Sequence, residues 1–190
     1  MILILSLIFI ILFHELGHLI VAKLCGCKVN IFSVGFGKPF FAKKFGETTY
    51  QIAPILLGGY CALDSELTLS DSLNAFTNKR YTQKVFISLA GIFVNVVTGF
   101  SACMIGHWFH NFPIFAFGYY SILIGLSNGI PIPALDGSYP IIFLFEKLWG
   151  KEKTYRIWGN IVAEFFKWLM ILNILSLPYL GYLLYTKKIM

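Results

Sequence analysis

The stretch MILILSLIFIILFHELGHLIVA, residues 1 to 22, is an apolar run that carries two histidines and a glutamate near its end. About 20 apolar residues in a helix match the hydrocarbon thickness of a bilayer, and a helix satisfies its own backbone polar groups there. His14, Glu15 and His18 interrupt the run. Ionisable groups inside a membrane span are expensive and are rarely kept without a role. The run lacks a basic leading region and a small-residue cleavage site, so we read it as a retained helix and not as a secretory leader.

The rest of the chain agrees. Of its 190 residues 57% are hydrophobic and 13% charged, with a mean hydropathy of +0.74, well away from the balance of a soluble domain. Further apolar runs lie at Val85–Trp108, at Ile114–Phe145 with an internal break, and at Trp168–Tyr185. The expected fold is an all-α polytopic membrane protein of about four transmembrane helices, forming a single domain over 1–190. The net charge of +6 does not signal nucleic acid, because the basic residues follow membrane topology. Lys23 to Lys84 lie between the first two spans and Lys147 to Arg156 between the last two, whereas Trp108–Pro113 has none. The positive-inside bias then makes both basic loops cytoplasmic and both termini external.

Residues 28–60 change character. KVNIFSVGFGKPFF and TTYQIAPILLGGY combine β-branched and aromatic residues with Gly and Pro punctuation, which predicts a small membrane-associated β-sheet. Residues 64–80 are polar and read as a loop or short surface helix. NGIPIPALDGSY, residues 128–139, breaks the third span, and irregular backbone at membrane depth persists only where it lines a buried cavity. Cys25, Cys27 and Cys61 fall on the reducing side and read as thiols, not as a disulfide framework.

Two histidines four positions apart on a helix point to one place, the two-ligand half of a zinc site. Glu15 is offset by about 100° from His14, so it addresses a water beside the metal and not the metal itself. Such a glutamate serves as general base and then general acid. A catalytic zinc takes three protein ligands. Asp136 is the best third candidate, being the sole acidic residue between Asp71 and Glu146 and sitting in the broken span beside Gly137. One Zn²⁺ per chain with ionised Asp136 and Glu15 sums to zero charge, which limits the cost of burial. His107 and His110 lie at the opposite end of the second span and read as part of an interfacial belt. Gly91, Asn95 and Gly99 recur every four residues and read as a close-packing face, with a substrate or oxyanion role for Asn95 as the alternative. Asn128, at the mouth of the break, is open in the same way.

Taken together, HELGH at 14–18, SVGFGK at 33–38, PILLGGY at 54–60, AGIFVN at 90–95, NGIPIPALDG at 128–137 and FEKLWG at 145–150 resemble the site-2 protease family of intramembrane zinc metalloproteases, in its regulator-of-sigma-E protease branch. The resemblance implies His14, His18 and Asp136 as zinc ligands, Glu15 as catalytic base, and substrate-binding or transition-state roles for Asn95 and Asn128. It implies a β region that offers an edge strand to the substrate. It implies a multi-pass protein of the bacterial inner membrane, with its site in the cytoplasmic half of the bilayer. Its partners would be transmembrane segments of membrane proteins, such as anti-sigma factors or remnant signal peptides. Gly91–Ile92 stands where the family commonly has Gly-Pro. Trp108–Pro113 leaves no room for the PDZ domains that many relatives insert there, so the expectation is a minimal form.

Two other classes compete with a protease. A catalytically silent metal-binding scaffold would bind transmembrane helices without cutting them, but has no need of Glu15. A divalent-metal transporter would need a second polar station towards the exterior, and the spans offer little there.

Overall fold

The computed structural model describes residues 2–65, 72–133, 135–165 and 167. Helix α1 (Ile2–Leu24) leads into four strands, β1 (Val29–Phe36), β2 (Phe41–Phe45), β3 (Thr48–Ile52) and β4 (Ile55–Leu63). After them come helices α2 (Tyr81–Trp108), α3 (Phe112–Asn128) and α4 (Tyr139–Trp149). A further helical stretch covers 151–165. The expected fourth span, Trp168–Tyr185, lies outside the described residues.

At 1.5 Å per residue the 28 residues of α2 extend about 42 Å and the 23 of α1 about 34 Å. Both are long and apolar enough to cross a bilayer. Phe86, Phe93, Phe100 and Met104 point outward from α2 and are exposed. In water that stripe would be an adhesive patch, whereas in lipid it faces a matching solvent.

Local chemistry sets the helix ends. The Arg80 N–H donates to Gln83 Oε1 at 3.0 Å, closing the first turn of α2. Three residues, Phe109–Asn111, join α2 to α3. His110 there takes a positive φ of 50°, and the Asn111 side chain caps α3 by accepting from the Ile114 N–H at 3.1 Å. The third apolar run breaks where the prolines and glycines foretell. Helix α3 stops at Asn128, and the chain resumes with a single 3₁₀ turn, Asp136–Ser138, before α4.

The sheet order is β2-β3-β1-β4. Strands β1 and β3 are parallel, while β1–β4 and β2–β3 are antiparallel. The pairing Val34↔Gly59 and Phe32↔Cys61 sets Val34, Phe32, Gly59 and Cys61 on one face. Phe32 and Val34 are buried. Gly35 adopts φ +90°, and a Cβ there would lie 3.2 Å from Ile55 O. Only glycine fits this bend, which coincides with the register shift between Val34 and Phe36.

One end of the molecule holds the main apolar cluster, with Leu19 and Ala22 of α1, Val29 and Phe32 of β1, Ile87 of α2 and Phe143 of α4. Beside it Lys84, 2% exposed, donates to both carboxylate oxygens of Glu146 at 2.8 and 2.7 Å. Tyr155 donates to the same carboxylate at 3.0 Å. This network fastens α4 and the 151–165 helix to the start of α2. Glu164 and Lys167 form an exposed ion pair at 3.1 Å.

Candidate metal centre

His14 and His18 sit one turn apart on α1, and their ring centroids are 5.0 Å apart. Their Nε2 atoms converge to 3.3 Å. The break after α3 returns Asp136 to the same point, with Oδ2 2.8 Å from His14 Nε2 and 3.2 Å from His18 Nε2. A tetrahedral ion with arms of about 2.0–2.1 Å has donor–donor edges of about 3.3 Å. The two nitrogens and the oxygen therefore already form one face of such a tetrahedron. Among the described residues this is the one cluster of three His, Cys, Asp or Glu side chains close enough to share an ion.

The histidines are aimed from α2. His18 Nδ1 lies 2.7 Å from the Ile87 carbonyl oxygen. A carbonyl can only accept, so Nδ1 carries the proton and the Nε2 lone pair is left for a metal. One turn further along α2, Gly91 makes room for both rings. A Cβ at Gly91 would lie 2.6 Å from His14 Nε2 and nearer still to His18 Nε2. Gly137 permits the matching approach on the other side, since a Cβ there would run into the carbonyls of Gly129 and Ile130. The fit to a small divalent cation thus rests on the donor set and on an opening that any side chain at position 91 would fill.

Glu15 is nearly buried, at 9% exposure, and is not one of the three convergent donors. Its Cγ would be 2.9 Å from a Cβ at Gly59, so β4 passes directly beside the glutamate. A cavity of about 690 Å³ runs along this strand, lined by His14, Glu15, Gly59, Ser88, Asn128 and Asp136 among others. β4 pairs with β1 on one side only, which makes it an edge strand.

Asn128 lies on the cavity wall with Nδ2 3.5 Å from His14 Nε2. Asn95 is elsewhere. It is fully buried, behind His14, with Nδ2 3.2 Å from His14 Nδ1. His107 and His110 are exposed at the far end of α2, His107 about 24 Å along the axis from Gly91, and take no part. No disulfide joins the four cysteines. Sequence reasoning missed the Ile87 carbonyl and the contact of Gly59 with Glu15, and it read Gly91 as a packing position and not as the opening for the imidazoles. The Gly-Gly pair, in a stretch otherwise rich in strand formers, was the visible signal at Gly59.

Residues 2–113 match the profile of Peptidase family M50. The chain belongs to that family. The M50 match ends before Asp136, whose place beside the histidines comes from the geometry alone. Among relatives, the chain is 42% identical over 95 residues to a protein of Neisseria meningitidis named "Putative zinc metalloprotease", covering 48% of this chain and 21% of that one. Same-named proteins of Campylobacter jejuni and Borreliella burgdorferi are 35% identical over 97 residues and 39% over 107. They share 48% and 51% of this chain, but only 26% and 25% of their own lengths. The matches thus span about a quarter of each relative. In fold the chain is similar to the site-2 protease of Methanocaldococcus jannaschii, with a TM-score of 0.56 and 19% identity over 94% of this chain and 70% of that one.

Proposed function

We propose that this M50 member is an intramembrane zinc metalloendopeptidase that hydrolyses a peptide bond within a transmembrane segment of a membrane protein. The observation that carries the reading is the triangle of His14 Nε2, His18 Nε2 and Asp136 Oδ2, with edges of 2.8–3.3 Å, set beside a glutamate and an open strand edge. His14, His18 and Asp136 would hold the ion. Bound there, zinc supplies Lewis acidity, which lowers the pKa of water and polarises a carbonyl.

The protein's own groups do the rest. Glu15 takes the proton from the attacking water and returns it to the leaving amine. The β4 edge receives the substrate as an extended strand, because a helical segment hides its carbonyls from attack. Gly59 lets β4 pass close to Glu15, where a Cβ would stand 2.9 Å from Glu15 Cγ, so a strand paired to the β4 edge lies near the base. Asn128 faces the same cavity and is suited to hold the scissile carbonyl oxygen as charge develops on it. The site falls in the cytoplasmic half of the bilayer if the positive-inside bias sets the topology. His18 then lies five residues before Lys23, and Asp136 eleven before Lys147. A multi-pass location in the bacterial inner membrane, and substrates such as anti-sigma factors or remnant signal peptides, follow from the same reading.

The test compares membrane-protein fragments from cells carrying wild type or Glu15→Gln, together with zinc content of the purified proteins. The expected result is equal zinc and loss of specific fragments in the variant. Equal fragments would remove the proposed base and favour a scaffold that binds helices without cutting.

A further inference from the structure

The structure assigns Asn95 a positioning role: its carboxamide oxygen accepts a hydrogen bond from His14 Nδ1–H and so aims His14 Nε2 at the metal. This rests on the metal-site reading above but not on the reaction.

Three observations carry it. First, Asn95 is 0% exposed and does not line the cavity, so a substrate reaching Glu15 and Asp136 does not meet it. Second, its amide end lies 3.2 Å from His14 Nδ1, on the ring edge opposite the convergent Nε2. Third, its Oδ1 is buried with no hydrogen-bond partner among the described residues.

The last two observations resolve together. When His14 gives its Nε2 lone pair to a cation, the ring proton must sit on Nδ1. A donor NH₂ facing Nδ1–H would repel it. Half a turn about χ2 exchanges the two ends of the carboxamide, so that the oxygen meets that proton and the NH₂ takes the buried position where the oxygen had no partner, replacing a repulsive donor–donor contact by a hydrogen bond. His18 is served in the same manner by the Ile87 carbonyl at 2.7 Å. Residues 87, 91 and 95 follow one another at single-turn intervals on α2, supplying an acceptor, an opening and an acceptor.

Asn95 is itself held in place from α3. The Ser121 hydroxyl donates to the Asn95 carbonyl at 2.9 Å. Gly125 packs on the Asn95 side chain, where a Cβ would come within 2.9 Å of Asn95 Cβ. α3 thereby steadies a metal ligand it does not itself carry.

The experiment measures zinc affinity of the full chain in lipid nanodiscs by competition with a fluorescent chelator. It compares wild type, Asn95→Leu and Asn95→Asp, and adds ¹H–¹⁵N spectra of histidine-labelled, zinc-loaded protein. Asn95→Leu should weaken zinc binding about 10–100-fold, the usual effect of losing such a partner. Asn95→Asp keeps an acceptor and loses the donor, and should recover most of the affinity. The wild-type spectrum should show an exchange-protected proton on His14 Nδ1. If Asn95→Leu does not fold, the aspartate variant and the wild-type spectrum decide. An aspartate variant as weak as the leucine one, a leucine variant as tight as wild type, or a rapidly exchanging Nδ1 proton overturns the assignment. A wild type that binds no zinc at all overturns the metal-site reading along with it, whereas absence of proteolysis leaves the affinity test intact.

Discussion

Replacing Gly91 by alanine adds one methyl group to the middle of α2. On helix propensity alone the change should stabilise the protein by up to about 1 kcal/mol. The site argues the other way. The new Cβ would stand 2.6 Å from His14 Nε2 and 2.7 Å from His14 Cε1, with His18 Nε2 closer still. Ordinary contact begins at 3.4 Å, so the His14 ring must retreat by about 0.8 Å and the His18 ring by more. Zinc ligands tolerate about 0.2 Å, and misplacing a catalytic centre by about 1 Å can cost 100-fold in rate. Gly91→Ala is therefore expected to purify as a folded protein, lose bound zinc, and cleave a reporter transmembrane segment at least about 100-fold more slowly. Metal content by mass spectrometry, thermal unfolding in detergent and reporter cleavage in membranes measure the three quantities. Gly159→Ala, where a Cβ meets nothing within 4 Å, serves as the control for the propensity gain. A Gly91→Ala protein with a full complement of zinc and wild-type cleavage would refute the proposal that these two nitrogens share an ion beneath residue 91.

Asp136→Ala should abolish stoichiometric zinc while leaving α1 and α2 packed, as read by metal content and proteolytic protection. Gly59→Val should keep zinc and lose cleavage, because a Cβ there would stand 2.7 Å from Ser33 O and 2.9 Å from Glu15 Cγ and so displace β4 and the glutamate from each other; equal kcat/KM for the variant and wild type would remove this contact from the proposed mechanism. Lys84→Met leaves the Glu146 carboxylate without its buried cation and should cost about 3–5 kcal/mol, seen as a lower unfolding temperature. Lys84→Met/Glu146→Leu together should recover part of that loss.

Much of this arrangement is legible in the sequence because its signals are local. HELGH fixes a spacing on one helix, the Pro/Gly cluster ends α3 at Asn128, and the single acidic residue in that break is the carboxylate that reaches the histidines. The β region announces itself by composition, although β4 runs on to Leu63, past the expected end at residue 60. What stays hidden depends on how helices are turned against each other. Gly91, Asn95 and Gly99 read as one packing stripe, yet each step of four residues rotates about 40° around the axis. Over the stripe the helix surface therefore turns from α1 to α3. Gly91 faces imidazoles, while Gly99 lies against α3, where a Cβ would be 2.7 Å from Gly118 O. The union of Lys84 with Glu146 and Tyr155 likewise joins residues 62 and 71 positions apart, with no periodicity to reveal it.

The donors of the centre are divided between the two ends of a long tether, since 122 positions separate His14 from Asp136. A nascent chain that has threaded only its leading helices owns two imidazoles and no carboxylate to complete them. On the reading proposed above, an ion can be held by all three donors only once the later part of the chain has folded back onto the first helix.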